Sequence, residues 1–155
     1  MQNKRTLVLL TFIPIIIGYI INWTIMIPYI GMPMFYVLPL IVLGFWFWLG
    51  SKYAKTDWKP IISILIGSAT GLISLIIYLW QFIFTSGEAR NILLAAFSQM
   101  YSAAVPTYLF SRIATMFETQ SNQAGIITMV TIQAMAVLLM MIVFTIGYFK
   151  GKKYN

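Results

Sequence analysis

Long apolar runs occupy most of the chain between Thr6 and Phe149, and no acidic residue lies inside any of them. A helix needs about 20 apolar residues to cross the hydrocarbon core of a bilayer. Four runs have that length or come close to it: about 6–27, 33–49, 61–84 and 126–149. About a quarter of the residues of a soluble domain are charged, whereas here the share is 8%. The sequence predicts an all-α integral membrane protein, a four-transmembrane-helix bundle with residues 1–155 in one domain.

The ten basic residues are unevenly distributed along this pattern. In membrane proteins Lys and Arg collect in cytoplasmic loops. With four spans, eight of the ten lie on one side and only Arg90 and Arg112 on the other. If residues 91–118 formed a fifth span, the C-terminal lysines would change sides and the split would be six to four. We therefore expect four spans with both the N and C termini cytoplasmic, and five spans is the alternative.

The stretch of about 86–119, between spans three and four, is apolar but is interrupted by polar side chains and by Pro106. The pattern Thr85-Ser86-Gly87-Glu88 has the residues of a capping box, which predicts a helix start there. Small and polar residues then recur at three- and four-residue spacing, which places them on one helical face. We expect an extracytoplasmic amphipathic helical segment with its apolar face down. It acts either as a lid over the span ends, or as a docking surface or a cover over a ligand entrance.

Five residues within the spans are candidate ligand contacts: Asn22, Tyr78, Gln133, Pro14 and Pro39. The first three share a depth of about 25 Å from the cytoplasmic face at 1.5 Å per residue. They form either a polar clamp between spans or a ring that contacts a ligand. The two prolines each remove a backbone donor at a common depth in neighbouring helices. They either open a cavity near the midplane or are tolerated because neighbouring helices satisfy the freed groups.

Two further groups of residues have a predicted role in packing or at the membrane surface. The third span carries a face of four small residues: Ser63, Gly67, Gly71 and Ser74. Such a face predicts close helix packing, either within the chain or between copies. Six lysines near the cytoplasmic span ends are candidate contacts for anionic lipid head groups, or serve only to fix the topology. They are Lys52, Lys55, Lys59, Lys150, Lys152 and Lys153.

The sequence lacks the residues on which most enzyme and metal sites depend. It has no Cys and no His, which removes thiol chemistry and the commonest metal ligand. The acidic residues Asp57, Glu88 and Glu118 lie in different loops, so no acidic pair is expected inside the membrane. The basic residues lie against the membrane and accompany no recognition motif. We therefore expect no enzymatic activity, no metal, no cofactor and no nucleic-acid partner.

Two functions are compatible with these features. The first is a non-catalytic accessory or assembly subunit that packs against a membrane-protein partner or a second copy, through span three and the outer segment. The second is a small transporter, ligand-binding membrane protein or oligomeric pore that uses the kinked-hairpin cavity and the polar ring. In either case the lipid bilayer is the principal partner. We expect the plasma membrane, and the Ile- and Lys-rich composition is compatible with a bacterial cytoplasmic membrane.

Overall fold

The computed structural model describes residues 3–116 and 125–153, and these residues are helical with short connections. The helices follow one another in this order: α1 Lys4–Leu10, α2 Ile13–Thr24, α3 Gly31–Tyr53, α4 Pro60–Leu79, a π-helical turn Trp80–Phe84, α5 Ile92–Ala103, a 3₁₀ turn Thr107–Phe110, α6 Ser111–Thr115 and α7 Ile126–Lys153. Four stretches are long and apolar enough to cross a membrane: Lys4–Thr24, Gly31–Tyr53, Pro60–Phe84 and Ile126–Lys153. The predicted all-helical class with four candidate spans is confirmed.

The first span is broken at Thr11 and Phe12, just before Pro14. Proline has no N–H group to donate, and its ring interrupts the regular helical bonding before it. In a regular helix the Ile15 N–H would donate to the Thr11 carbonyl, four residues earlier. Here it donates to the Phe12 carbonyl instead, so the Thr11 carbonyl is left without its helical donor. The Thr70 hydroxyl of α4 donates to that carbonyl at 3.0 Å. A neighbouring span therefore satisfies the backbone group that the kink releases.

The bundle has two ends of different character. At one end the Lys4 ammonium lies 3.4 Å from the Asp57 carboxylate, and the last turn of α7 lies beside Ser51 of α3. We term this the basic end. The other, termed the distal end, carries the turn between α2 and α3 and the π-helical turn after α4. The four spans therefore alternate in direction, so the second and fourth, α3 and α7, run parallel.

The parallel helices α3 and α7 pack with their backbones in contact. A Cβ on Gly147 would lie 2.1 Å from the carbonyl oxygen of Phe47, and a Cβ on Gly50 would lie 2.2 Å from that of Phe144. Gly151, one turn further along α7, meets α3 in the same way. Gly147 and Gly151 have the GxxxG spacing that permits such close approach. This contact fixes the position of the second span relative to the fourth. Its glycines were not among the predicted packing residues, which all lie on span three.

Aromatic side chains fill the centre of the bundle. Trp46 and Tyr53 of α3, Phe144 of α7 and Tyr101 of α5 are all fully buried. The Phe144 ring lies 6.2 Å from that of Trp46 and 5.2 Å from that of Tyr53, between centroids. The Tyr101 ring meets Trp46 edge-on at 6.5 Å, a geometry that aromatic pairs favour. Tyr101 therefore joins α5 to the core that the spans form.

The helix between the third and fourth spans begins later than predicted. It starts at Ile92, and the Asn91 side chain caps it by accepting two backbone N–H bonds. The preceding residues 86–90 form turns instead of a first helical turn. The reason is the buried Gln81, whose side-chain oxygen accepts the Asn91 N–H at 2.8 Å and whose carbonyl accepts Arg90 Nε at 3.0 Å. These bonds close the connection as a compact loop.

The structure also reverses the predicted orientation of this helix. Ala95 and Ser98 on the small-residue face are buried, whereas the large apolar residues Ile92 and Leu93 are exposed. Lipid is as apolar as Leu, so membrane helices pack through small residues and leave large apolar side chains to the lipid. The segment therefore does not lie on the bundle with its apolar face down. Residues 117–119 of the predicted segment lie outside the described residues.

α5 enters the bundle from the distal end, between α2 and α4. A Cβ on Gly18 of α2 would lie 1.7 Å from the carbonyl oxygen of Met100, so the two backbones touch. Ser74 of α4 donates its hydroxyl to the Ser98 carbonyl at 2.6 Å. Gly18 lies six residues before the end of α2 at Thr24, which is about 9 Å along a helix. The end of α5 is therefore well below the distal end of the spans.

The chain bends after α5, with an angle of 84° between Ile92–Ala103 and Thr107–Ile113. The second arm contacts the distal part of α3, where the Tyr108 hydroxyl donates to the Tyr36 carbonyl at 3.2 Å. Taken together, the two arms are long and apolar enough for a fifth span. Their bend is that of a broken span or a re-entrant loop.

Candidate functional site

A cavity of about 320 Å³ lies beside the last turn of α5 and the bend that follows it. Its walls are formed by α2, α4, α5, α7 and the 3₁₀ turn. The lining residues are Asn22, Tyr78, Gln99, Ser102, Ala103, Thr107, Met129, Ile132 and Gln133. Small-molecule sites have volumes of about 300–1,000 Å³, so this cavity is of the size that a small ligand requires.

Gln133 is a buried polar residue of this cavity whose side chain is held by a hydrogen bond. It is 6% exposed, and its Nε2 donates to the Ser102 hydroxyl oxygen at 2.7 Å. That hydroxyl in turn donates to the Gln99 carbonyl at 2.9 Å, so the amide orientation of Gln133 is fixed from α5. The other amide atom, Oε1, is buried and accepts no hydrogen bond in the described structure. A buried acceptor without a donor costs about 1–3 kcal/mol, and no surface of Oε1 is open to the cavity.

The three polar residues predicted to share a depth are brought together by the fold. Asn22 from the first span, Tyr78 from the third and Gln133 from the fourth all line the same cavity. The predicted clamp linked the spans directly to one another. In the structure, the Gln133 side chain instead makes its hydrogen bond to a side chain of α5. The three residues thus share a cavity, and the side-chain partner of Gln133 in the described structure is Ser102 of α5.

Neither proline of the predicted set lines this cavity. Pro14 is buried at the start of α2, where the Thr70 hydroxyl satisfies the adjacent backbone. Pro39 is buried within α3, which continues past it to Tyr53. The polar cavity therefore lies beside α5, and of the first two spans it is lined by Asn22 of α2 and not by either proline.

Three polar lining residues were not among the predicted candidates: Gln99, Ser102 and Thr107. Sequence reasoning placed their segment on the outer surface, where polar side chains would simply face water. The informative signal was the spacing of small residues on α5, from Ala95 to Ser102, since such a face in lipid indicates a helix that packs inside the bundle.

The cavity is chemically neutral. Among the residues that the structure describes, no Lys, Arg, Asp or Glu lines it. Amide and hydroxyl groups both donate and accept hydrogen bonds, so the site offers both functions to a ligand. The apolar portion comes from Ala103, Met129 and Ile132. Such a lining suits a small, uncharged molecule with polar groups on one side.

The four small residues of the third span are all buried within the chain: Ser63, Gly67, Gly71 and Ser74. A Cβ on Gly67 would lie 2.2 Å from the ring of Phe144, and one on Gly71 would lie 2.6 Å from the ring of Tyr101. Both glycines therefore make room for aromatic side chains of the same chain. This face packs internally and is not available to a second copy.

The six lysines predicted to contact lipid head groups divide into two sets. Lys52, Lys55 and Lys150 border a second cavity of about 270 Å³ at the basic end, between α3 and α7. Lys59, Lys152 and Lys153 do not line that cavity.

Comparison of the chain with protein-family models, curated proteins and solved structures gives no match.

Proposed function

We propose that this protein binds a small, neutral, polar ligand within the membrane, as a ligand-binding membrane protein or small transporter. The observation that supports this proposal is the cavity beside α5, which is lined by polar side chains from three spans and from α5. The proposal includes no enzymatic step, cofactor or metal.

For the membrane placement we propose four crossings with both termini in the cytoplasm. The support is the accumulation of lysines at the basic end, according to the preference of Lys and Arg for cytoplasmic loops. The distal end, where α5 enters, would then face the exterior of a plasma membrane, which we propose is a bacterial cytoplasmic membrane. The ligand would reach the cavity from outside the cell.

The first test asks whether the cavity contains water. The chain has no Cys, so single cysteines report their own surroundings. Ile132→Cys lies in the cavity wall, whereas Thr131→Cys, one residue earlier on α7, is outside it and at nearly the same depth. We expect a sulfonated, water-soluble thiol reagent to label Ile132→Cys much faster than Thr131→Cys. Equal rates would contradict a hydrated binding site.

The second test asks which solutes occupy the cavity. We expect acetamide and glycerol to slow the labelling of Ile132→Cys, because they donate to amide oxygens and carry no charge. Acetate and guanidinium are the matched charged probes and are expected to give no protection. The variant Gln133→Leu removes the amide of this lining residue and should abolish protection by acetamide. Protection that is as strong in Gln133→Leu as in the parent would refute the assigned role of Gln133.

A second candidate function, the accessory subunit, is supported by the distal turn between α2 and α3. Met26 is 88% and Tyr29 97% exposed at this turn, and Tyr29 has a φ of 64°, which is unfavourable for a bulky residue. A strained turn that presents apolar side chains is suited to contact with a membrane partner. Purification from native membranes in mild detergent, with Met26→Ser as the comparison, tests this role. Loss of a co-purifying protein in Met26→Ser would support it, and an unchanged set of proteins would contradict it.

A further inference from the structure

The cavity at the basic end has a different chemistry from the one beside α5. It lies between the parallel helices α3 and α7, beside their backbone contact, because Phe47, Ser51 and Gly151 belong to both. Its lining consists of Phe47, Trp48, Ser51, Lys52, Lys55, Lys150 and Gly151. The volume of about 270 Å³ is several times the roughly 30 Å³ that a water molecule occupies in the liquid. The space is therefore large enough for a phosphate group with its ester substituent.

Three lysines line this cavity, and no acidic residue in the described part of the chain lines it with them. Of the acidic residues in the described part of the chain, Asp57 pairs with Lys4 at 3.4 Å, and Glu88 lies in the connection at the distal end. Two of the lysines are also held over aromatic rings. Lys52 Nζ lies 5.2 Å from the ring centroid of Trp48, and Lys150 Nζ lies 5.2 Å from that of Phe47.

These cation–π contacts orient the positive groups but do not neutralise them. The lysines belong to two helices whose relation is fixed by the glycine contacts of Gly50, Gly147 and Gly151. The positive charges of Lys52 and Lys150 are thus brought together by the fold and not by proximity in the sequence. Lysines that are held close together without an acidic partner are suited to bind an anion. Phosphate is the anion that is abundant at a membrane surface.

The surroundings favour a lipid as the source of the phosphate. The cavity lies at the ends of two candidate spans, and the adjoining outer surface is apolar. Trp48 is 43% exposed, and Ile142, Ile146 and Phe149 on the outer side of α7 are each more than half exposed. Acyl chains of a lipid whose head group occupied the cavity would lie against this surface.

We propose that the cavity bordered by Lys52, Lys55 and Lys150 is a binding site for the phosphate head group of one anionic glycerophospholipid. The ammonium groups of these lysines bind the phosphate. The site is separate from the neutral cavity beside α5 and does not depend on the proposed function of that cavity.

The chain offers a matched control for the experiment. The triple variant Lys52→Gln, Lys55→Gln, Lys150→Gln removes the lysines of the cavity, and Lys59→Gln, Lys152→Gln, Lys153→Gln removes the other three. Each lowers the formal charge from +7 by three to +4, so general attraction to anionic lipid changes equally. Binding of phosphatidylglycerol to the purified protein in neutral detergent is measured by native mass spectrometry, with phosphatidylcholine of the same acyl chains for comparison.

Each lysine near an anionic surface contributes about 1 kcal/mol, or roughly fivefold in affinity. We expect the cavity variant to bind phosphatidylglycerol on the order of 100-fold more weakly than the parent. The control variant should lose much less, and phosphatidylcholine should bind weakly to all three proteins. The single variant Lys150→Gln, expected to lose about fivefold, replaces the triple variant if that protein does not fold.

Equal loss in the two triple variants would show a diffuse charge effect and would overturn the proposal. Equal binding of phosphatidylcholine and phosphatidylglycerol would overturn it as well. Inorganic phosphate and glycerol phosphate are added as competitors to distinguish a lipid from a soluble phosphate. If either displaces phosphatidylglycerol at the same concentration as the lipid itself, the site is one for a soluble anion and the lipid assignment is wrong.

Discussion

Replacement of Gly18 by alanine tests whether α5 enters the bundle. The new Cβ would lie 1.7 Å from the Met100 carbonyl oxygen, against an ordinary contact of at least 3.4 Å. The backbones of α2 and α5 must therefore separate by about 1.7 Å, the difference between these distances. Overpacking of this kind costs about 1–3 kcal/mol. We expect a value of about 3 kcal/mol, the upper end of that range, because a backbone oxygen cannot rotate away.

Gly44→Ala is the matched control, since Gly44 is also inside a helical span but has nothing within 4 Å of an added Cβ. Alanine in a helix is favoured over glycine by about 0.5–1 kcal/mol, and this gain applies to both variants. The difference between them therefore isolates the overpacking. It corresponds to roughly a 100-fold change in the unfolding equilibrium at about 1.4 kcal/mol per factor of ten.

The assay is unfolding of the detergent-solubilised protein by increasing SDS, followed by tryptophan fluorescence. Gly18→Ala should unfold at clearly lower SDS than the parent, and Gly44→Ala at the same or higher SDS. The labelling rate of Ile132→Cys in the Gly18→Ala background should also change, because α5 forms one wall of the cavity. If both alanine variants unfolded at the same SDS concentration, α5 would not touch α2, and the cavity beside it would have no basis.

Three further variants test other contacts, each by the same unfolding assay unless stated. Thr70→Val removes the hydroxyl that bonds the kink carbonyl and should cost about 0.6–2 kcal/mol; no loss would show that the kink needs no partner. Phe144→Ala leaves a hole in the buried aromatic core and should cost about 2–3 kcal/mol from the cavity alone, whereas Phe149→Ala, on the exposed side of the same helix, should cost little. Gln81→Leu removes the acceptor of the Asn91 N–H, so limited proteolysis should cut the connection before α5 faster than in the parent, and an unchanged rate would contradict this role.

The closing of that connection shows a limit of local sequence patterns. A capping-box pattern is a local signal, and it competes here with Gln81, which lies at the end of the preceding span and is buried. The hydrogen bonds from Arg90 and Asn91 to Gln81 join residues nine and ten positions apart, respectively. Such a bond depends on how the π-helical turn Trp80–Phe84 places the side chain, and no propensity rule includes that information.

The sequence alone determined that this is a membrane protein and how many long apolar helices it has. Hydrophobic length is a property of each segment separately, because a helix satisfies its own backbone hydrogen bonds in lipid. For this reason four candidate spans were identified, and the polar positions Asn22, Tyr78 and Gln133 were assigned a common depth by counting residues along the helices. The structure shows that these three side chains do line one cavity.

Tertiary structure decided which helix faces meet. The contacts of Gly18 with Met100 and of Gly147 with Phe47 depend on shapes from distant parts of the chain, and so does the placement of Lys52 beside Lys150. In lipid, apolar surface gains little by being buried, so the hydrophobic pattern does not specify the packing partner of a helix. Close backbone approach at small residues specifies the packing partner instead. The bend after α5 and the cavity beside α5 follow from these close contacts.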